Sequence, residues 1–252
     1  MEYNIPQSSG GANQGRPPAP ALHPPEAERI CAMDLNTSQL LDLSHTLAGS
    51  YLAEFSYPWE ALEGIPDLIL RLGDGLSPEE YLQPSPHVWI HKTAKVFPSA
   101  WLGALCIIGP ESEVRHGAFI RGSALVGAGC VVGNSVELKN VILFDKVQVP
   151  HYNYVGDSIL GYRSHMGAGS ITSNVKSDKS LVVIKDGARR LETGRKKVGA
   201  ILGDRVEVGC NSVLNPGTVV GRDTSIYPVS CVRGTVPPNH IFKADGKIVP
   251  RE

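Results

Sequence analysis

Residues 102–133 read LGALCIIGPESEVRHGAFIRGSALVGAGCVVG, and a bulky aliphatic residue recurs at every sixth position. The same register extends beyond this stretch on both sides, through Ile90, Val96, Leu102, Ile108, Val114, Ile120, Val126, Val132, Leu138 and Phe144. Glycine often follows directly, as at Gly103, Gly109, Gly127 and Gly133. After an irregular stretch the period resumes at Leu202, Val208, Leu214, Val220, Ile226 and Val232.

A period of six is typical of a parallel β-helix. Each hexad supplies one short strand and a corner, with the aliphatic side chain pointing inward. Glycine or a small polar residue takes the turn, where a Cβ would be strained. Three hexads close one triangular coil, and successive coils stack as parallel strands. We therefore predict a β-helix built from hexapeptide repeats over residues 90–240, followed by a C-terminal tail over residues 241–252.

The chain before residue 90 does not share this period. Residues 1–36 are rich in proline, glycine and serine, which predicts a flexible extension. Residues 37–89 predict a small helical cap, because apolar residues fall near helical spacing at Leu40, Leu41, Leu43, Leu47 and Tyr51. Ser77-Pro78-Glu79-Glu80 has the N-cap hydroxyl, proline and acidic first turn of another helix start. We expect the cap to cover the open N-terminal coil.

Composition excludes several classes of protein. The chain has 252 residues, with 24 Lys and Arg against 25 Asp and Glu, so a basic nucleic-acid-binding surface is not expected. No apolar run is long enough for a membrane span, and the N-terminus does not have the pattern of a signal peptide. Five scattered cysteines form no disulfide pattern, which favours the cytoplasm.

Three residues that interrupt the repeat are candidates for chemistry. Arg115, Lys139 and His151 each take the slot after the inward residue, and they are separated by whole numbers of hexads, first four and then two. We expect the three side chains to converge near one edge, where two cations would suit a phosphate and the imidazole a general base. The alternative is that these are solvated corner residues. Large side chains around His151, in Pro150 to Tyr154, favour a functional role there.

Several motifs resemble one enzyme family. They include Val132 to Lys139, His151-Tyr152-Asn153-Tyr154-Val155-Gly156-Asp157, Met166 to Asn174, and Ile201 to Asp204. They resemble, in order, the acetyltransferase domain of the bifunctional N-acetylglucosamine-1-phosphate uridyltransferase/glucosamine-1-phosphate acetyltransferase family, in particular its archaeal-type sugar-1-phosphate members. Generic hexapeptide proteins do not share the glycine-rich run that follows the HxxYxGD motif.

This resemblance implies a left-handed β-helix, a homotrimer with sites between subunits, and N-acetylation of glucosamine 1-phosphate by acetyl-CoA without a metal. By position, His151 is the general base. Substrate-binding roles fall on Arg115, Lys139, Tyr154 and Asn174, and cofactor-binding roles on His165, Ala168 and Cys210. His165 replaces an asparagine of the bacterial enzymes, and Cys210 replaces a serine.

The chain also departs from the bacterial members of that family. Residues 176–197 form a longer, basic loop of the archaeal type, which is either solvated or covers a phosphate of the acceptor or of CoA. No nucleotide-binding motif of the form LxxGxGTRM occurs in the first hundred residues, so nucleotidyl transfer is not expected.

Three other functions stay open on the residues alone. They are acyl transfer to another amino sugar or small amine, a non-catalytic binding module, and a metal-dependent carbonic anhydrase on the same fold. The last requires histidines paired on adjacent coils. His151 and His165 are not separated by a whole number of hexads, so a metal site is not expected.

Overall fold

The computed structural model describes residues 32–252, and most of the predicted flexible extension lies outside them. The predicted left-handed parallel β-helix is confirmed, with about nine turns. Its strands are β1 (Tyr81–Ser85), β2 (Val88–His91), β3 (Lys95–Val96), β4 (Trp101–Leu102), β5 (Cys106–Ile108), β6 (Glu113–Val114), β7 (Phe119–Val126), β8 (Val131–Asn134), β9 (Glu137–Leu143), β10 (Gln148–His151), β11 (Tyr154–Leu160), β12 (His165–Met166), β13 (Ile171–Thr172), β14 (Val183–Asp186), β15 (Arg189–Glu192), β16 (Ala200–Leu202), β17 (Glu207–Val208), β18 (Val213–Leu214), β19 (Thr218–Val220), β20 (Ser225–Ile226), β21 (Cys231–Val232), β22 (Thr235–Val236), β23 (His240–Phe242) and β24 (Ile248–Pro250).

Three faces form the prism, and each is a ladder of parallel strands. The first face begins with β2 and β5, the second with β3 and β6, and the third with β4 and the start of β7. Strands β7, β9 and β11 are long because each continues from the third face around a corner onto the first. Antiparallel pairing of β1 with β2 and of β23 with β24 ends two of these ladders.

Paired residues on neighbouring coils are three hexads apart, as predicted, until the corner at Lys139 and Asn140, which has one residue fewer. Lys95 pairs with Glu113, three hexads further along the chain, whereas Lys139 pairs with Gly156, one position short of three hexads. Leu143, not the predicted Phe144, therefore lies opposite Val126, although both residues are buried. The stretch after residue 144 that is irregular in sequence is regular in structure, because the coils continue in the shifted register as far as Thr172.

Close stacking of the coils explains the glycines better than turn strain does. A Cβ on Gly109 would lie 2.5 Å from the Gly127 oxygen, and one on Gly133 would overlap the Pro150 carbonyl. Neither glycine has a positive φ; the left-handed conformation falls two residues later, at positions such as Glu111 and Ser135. Our expectation that these glycines relieve strain in the turn is wrong, because the neighbouring coil is what excludes the side chain.

The N-terminal helices (residues 37–74) are shorter than predicted. They comprise α-helices Thr37–Leu40, Gly49–Leu52 and Ile65–Asp74, and 3-10 helices Leu43–His45 and Pro58–Glu63. The helix predicted at Ser77 is wrong: the Ser77 carbonyl accepts from the amides of Glu80 and Tyr81, which makes a single turn, and pairing with β2 then draws the chain into β1. No helix among the described residues is long and apolar enough to cross a membrane.

These helices do not cover the open coil as expected; they pack on the first face. Six successive coils there carry a second, outward aliphatic residue directly before the inward one, and all six are fully buried: Ile107, Leu125, Ile142, Ile159, Ile201 and Val219. Helix Ile65–Asp74 approaches so closely that a Cβ on Gly73 would overlap the Trp89 ring. Burial of this apolar stripe, rather than protection of a strand edge, places the helices.

The basic loop is partly folded. Strands β14 and β15 form an antiparallel hairpin within it. The buried carboxylate of Asp186 accepts hydrogen bonds from the Thr235 hydroxyl, at 2.8 Å, and from the Arg189 guanidinium. The hairpin is therefore tied to the last coils of the first face, and it returns the chain to the β-helix at β16.

Candidate functional site

The third face and its two edges carry most of the candidate residues. His151, at the end of β10, lies where the second face turns into the third, and we call this corner the His151 edge. Lys139 and Asn140, in the middle of β9, lie where the third face turns into the first, and we call this corner the Lys139 edge. Tyr154 lies between the two edges. A ligand laid across this face would meet the imidazole at one end and the ammonium at the other.

Asp157 is the centre of the Lys139 edge. Its carboxylate is nearly buried and accepts from Lys139 Nζ at 2.9 and 3.1 Å, Asn140 Nδ2 at 3.0 Å and Asn174 Nδ2 at 2.5 Å. Asn140 also donates to the Leu62 carbonyl at 3.0 Å, which links this edge to the N-terminal helices. Since one carboxylate satisfies three donors, Asp157 holds the Lys139 and Asn174 side chains in place.

Tyr154 and Asn174, to which the resemblance assigns substrate-binding roles, lie in contact with each other. Asn174 Nδ2 lies 3.2 Å from the Tyr154 hydroxyl, and the two residues stand on successive coils. Burial, followed by the charges of Asp157 and Glu137, raises the pKa of the Tyr154 hydroxyl above its ordinary value. The hydroxyl therefore stays protonated at neutral pH and presents both a donor and an acceptor to a ligand.

Arg115 does not meet Lys139 within the chain, so the predicted convergence near one edge is wrong. Arg115 lies on the His151 edge, in the coil that begins at β6, and its guanidinium donates to Glu113 from Nε at 3.0 Å and from Nη2 at 2.9 Å. The four hexads between Arg115 and Lys139 make one coil plus one further hexad. That extra hexad moves the side chain to the next edge, whereas three hexads, one full coil, return it to the same edge.

Arg121 is the residue that sequence reasoning missed. It lies one coil from Lys139 on the same edge, at an irregularity where three residues turn the corner instead of two. Bulges of this kind redirect a side chain. Arg121 Nη1 donates to Glu137 Oε1 at 2.8 Å, next to Tyr154 in the ladder. Its separation from Lys139 by three hexads, one full coil, was the available signal.

Two of the three residues assigned to the cofactor, Ala168 and Cys210, follow the His151 edge over successive coils. The Gly169 amide donates to the His151 carbonyl, and the Asn211 amide to the Ala168 carbonyl. This places His151, Ala168 and Cys210 in a row, with coils about 5 Å apart. Cys210 is exposed, and the His151 ring makes no hydrogen bond to any described residue. Both nitrogens of that ring are therefore open to a ligand.

His165 lies apart from this row. It stands on the second face in β12, and its Nδ1 is 2.9 Å from Glu207 Oε2 on the next coil. The carboxylate selects the tautomer with hydrogen on Nδ1, which leaves Nε2 as an acceptor when the ring is neutral. His165 thus stands on the second face, beside a cavity that it lines with Lys146 and Arg163, and does not replace His151 on the third face.

A cavity of about 530 Å³ opens beside the Lys139 edge. Leu62, Glu63 and Pro66 of the N-terminal helices form one wall, and Ser123, Lys139, Asn140 and Asp157 form the floor. The opposite wall is the segment 194–197, which we call the basic segment and which carries Arg195, Lys196 and Lys197. Among residues 32–252, no three His, Cys, Asp or Glu side chains are grouped so as to hold a metal ion.

Comparison with known proteins identifies the family of the chain. The profile of the GMPPB C-terminal domain family matches residues 106–245, which is more than half of the chain. The chain belongs to this family. The match begins at β5, and it therefore covers the β-helix from that strand onward and both edges of the third face.

Two curated relatives confirm the resemblance drawn from the motifs. A bifunctional sugar-1-phosphate nucleotidylyltransferase/acetyltransferase of Sulfurisphaera tokodaii is 26% identical over 77% of this chain and 49% of the relative. Bifunctional protein GlmU of Methanocaldococcus jannaschii is 36% identical over 42% of this chain and 26% of the relative. The chain spans half, or less, of the length of these relatives.

The solved structures that the chain matches are more distant in sequence. A hexapeptide transferase family protein from Anaplasma phagocytophilum is 14% identical, with a TM-score of 0.41, and the match covers 66% of this chain and 80% of that one.

Proposed function

We propose that the protein is an acetyl-CoA-dependent N-acetyltransferase whose acceptor is an amino-sugar 1-phosphate, specifically glucosamine 1-phosphate. The observation that carries the proposal is the third face. It has an open imidazole at one edge, the Tyr154–Asn174 pair beside it, and the cations Arg121 and Lys139 at the other edge. The curated relatives with sugar-1-phosphate acetyltransferase names support the same class of acceptor.

His151 is the proton acceptor in this proposal. The amine nitrogen attacks the thioester carbonyl of acetyl-CoA, the new N–C bond forms, and the C–S bond breaks to release CoA. The amine proton passes to the open imidazole nitrogen, which then returns it to the departing thiolate. A neutral imidazole suits this step because its ordinary pKa lies near neutrality.

Arg121 and Lys139 hold the phosphate end of the acceptor. Lys139 is already paired with Asp157, so the charge of Lys139 alone is largely compensated at this edge. Arg121 is also paired, with Glu137, but it is more exposed than Lys139, and its planar guanidinium can form two parallel hydrogen bonds to phosphate oxygens. Arg115, which sequence reasoning placed in this role, lies on the His151 edge instead and is paired there with Glu113.

Acetyl-CoA follows the His151 edge. The small side chains of Ala168 and Cys210 leave room along successive coils for an extended pantetheine chain, while His165 stands on the adjoining second face, paired with Glu207. The thioester then arrives at the imidazole, and the sugar amine meets it from the third face. No residue of this arrangement requires a metal, because the transferred acetyl group is already activated by its thioester.

Release of CoA in the presence of candidate acceptors tests the proposal. We expect turnover with glucosamine 1-phosphate and a specificity constant lower by at least tenfold with glucosamine, which lacks the charge-assisted contacts. Galactosamine 1-phosphate and glucosamine 6-phosphate test the sugar and the phosphate position. Equal turnover of glucosamine and glucosamine 1-phosphate would contradict the phosphate assignment. Absence of transfer to every amine would favour a binding module.

A further inference from the structure

The cavity at the Lys139 edge contains more positive charge than its own carboxylates compensate. Its walls and floor carry Lys139, Arg195, Lys196 and Lys197 against only Asp157 and Glu63. Lys139 is satisfied by Asp157, so Glu63 is the one lining carboxylate left for the three cations of the basic segment, and it pairs with Arg195. Lys196 and Lys197 are exposed and pair with no carboxylate within residues 32–252. The excess charge is suited to a dianion.

The position of Arg195 is set by backbone contacts. Its carbonyl accepts from the Val182 amide at 2.8 Å, and its own amide donates to Thr193 Oγ1 at 3.2 Å. The basic segment is thus anchored to the hairpin side of the loop, and the Val198 amide, directly after it, donates to the Asn174 carbonyl at 3.1 Å. Arg195 is therefore held next to the residues of the acceptor face.

The Arg195 guanidinium is only partly satisfied. Its Nη1 donates to Glu63 Oε2 at 2.9 Å, while its Nε is buried without an acceptor among the described residues. Glu63 itself is 86% exposed, whereas Arg195 is 22% exposed. Because Glu63 is so exposed, its carboxylate can leave the ion pair and be solvated by water at little cost in free energy. The buried Nε of Arg195 has no partner among the described residues, so an additional acceptor at this site would be favourable.

We propose that the phosphate of the acceptor, held by Arg121 and Lys139 at this edge, extends into the cavity, and that Glu63 acts as a resident counterion of Arg195, which the phosphate displaces. This inference deepens the proposed function and rests on it for the identity of the phosphate ester. It assigns a role in substrate specificity to the N-terminal helices, which lie outside the matched family residues 106–245. Glu63 lowers the affinity for anions that bring too little charge to displace it.

Variants of the ion pair make the idea testable. We expect Glu63→Gln to bind inorganic phosphate about three- to fivefold more tightly at low salt, because a competing carboxylate is gone. It should lower the Michaelis constant for glucosamine 1-phosphate by a similar factor and leave that for acetyl-CoA unchanged. Arg195→Ala should weaken phosphate binding by at least about tenfold. Calorimetry and initial rates measure the two effects.

Glu54→Gln is the matched control. Glu54 is an exposed carboxylate of the same N-terminal helices, and its side chain pairs with no described residue. Removing its charge should leave phosphate affinity within a factor of about 1.5, since exposed charges at a distance are screened. If Glu63→Gln behaves like Glu54→Gln, or binds phosphate less tightly than the parent, the counterion role is wrong. Thermal melting of each variant separates an effect on binding from an effect on folding.

The two proposals fail in different ways. If the parent acetylates glucosamine 1-phosphate while Glu63→Gln and Arg195→Ala keep its Michaelis constant, the inference about the cavity fails and the proposed function stands. If phosphate binding changes as expected in both variants but no amine is acetylated, the anion site stands and the proposed function fails.

Discussion

At the scale of single residues, His151 is the group that decides whether the third face is an active site. Replacing His151 with Ala should lower turnover by about two to four orders of magnitude, the usual contribution of a general base. CoA binding should persist, because Ala168 and Cys210 lie on other coils.

His165→Ala is the comparison for that experiment. The resemblance assigns His165 to cofactor binding, and its ring is engaged by Glu207 on the second face, away from the acceptor. We therefore expect a higher Michaelis constant for acetyl-CoA and a smaller loss of turnover. Near-full activity of His151→Ala together with an inactive His165→Ala would show that the base is assigned to the wrong histidine.

Two arginines provide a second comparison at the same scale. Arg121→Ala should raise the Michaelis constant for glucosamine 1-phosphate by at least about tenfold, because charge-assisted hydrogen bonds to phosphate are lost. Arg115→Ala removes only the pair with Glu113 and should change that constant by less than about twofold. Initial-rate measurements with each variant test this, and the reverse order would restore the assignment made from the repeat alone.

At the scale of elements, close stacking of coils is the feature that keeps the edges in register. Gly133→Ala would drive a Cβ into the Pro150 carbonyl, directly before His151. We expect a loss of about 3 kcal/mol or more in the free energy of unfolding, as for other severe overpacking. Gly75→Ala, whose Cβ would meet nothing closer than 3.5 Å, should stay within about 1 kcal/mol of the parent. Denaturant melts of both variants check the contrast.

Burial, together with the position of Cys210 on the His151 edge, predicts which cysteines an alkylating reagent modifies. Burial raises the pKa of Cys106 and of Cys130 to about 12, so both thiols should resist alkylation in the folded protein. Cys210 and Cys231 are exposed and should react. Acetyl-CoA should protect Cys210 and leave Cys231 reactive, because only Cys210 lies on the proposed cofactor path. Peptide mass spectrometry after labelling measures each site, and equal protection of both thiols would place the cofactor elsewhere.

At the scale of the whole molecule, exposed apolar side chains on the third face and the His151 edge indicate assembly. Trp101 and Tyr152 are 65% and 64% exposed, and Val229 is 72% exposed. A homotrimer would cover such residues and supply a second wall to an acceptor face that is open in one chain. Light scattering should give three times the chain mass of 27.0 kDa, and Trp101→Lys should lower it. A monomer at micromolar concentration would contradict the trimer.

The sequence by itself determined the β-helix, because an inward aliphatic at every sixth residue has few other structural explanations. It also made His151 a candidate, since the large side chains of Pro150 to Tyr154 interrupt an otherwise small-residue repeat, whereas Tyr154 and Asn174 became candidates only through the resemblance of their motifs to the enzyme family. The outward aliphatics that bind the N-terminal helices were visible as doublets such as Ile107-Ile108, but the hexad pattern alone does not say which face is covered.

Only the tertiary structure decided which charges meet. A triangular coil has three edges, so residues separated by one coil share an edge and those separated by one coil and a hexad do not. This is why Lys139 is joined by Arg121 and not by Arg115. Glu63 and Arg195 are far apart in the chain, and no local pattern reports their contact. Their pairing depends on how two elements outside the repeat pack against the same face, which is settled by burial of apolar surface across the whole fold.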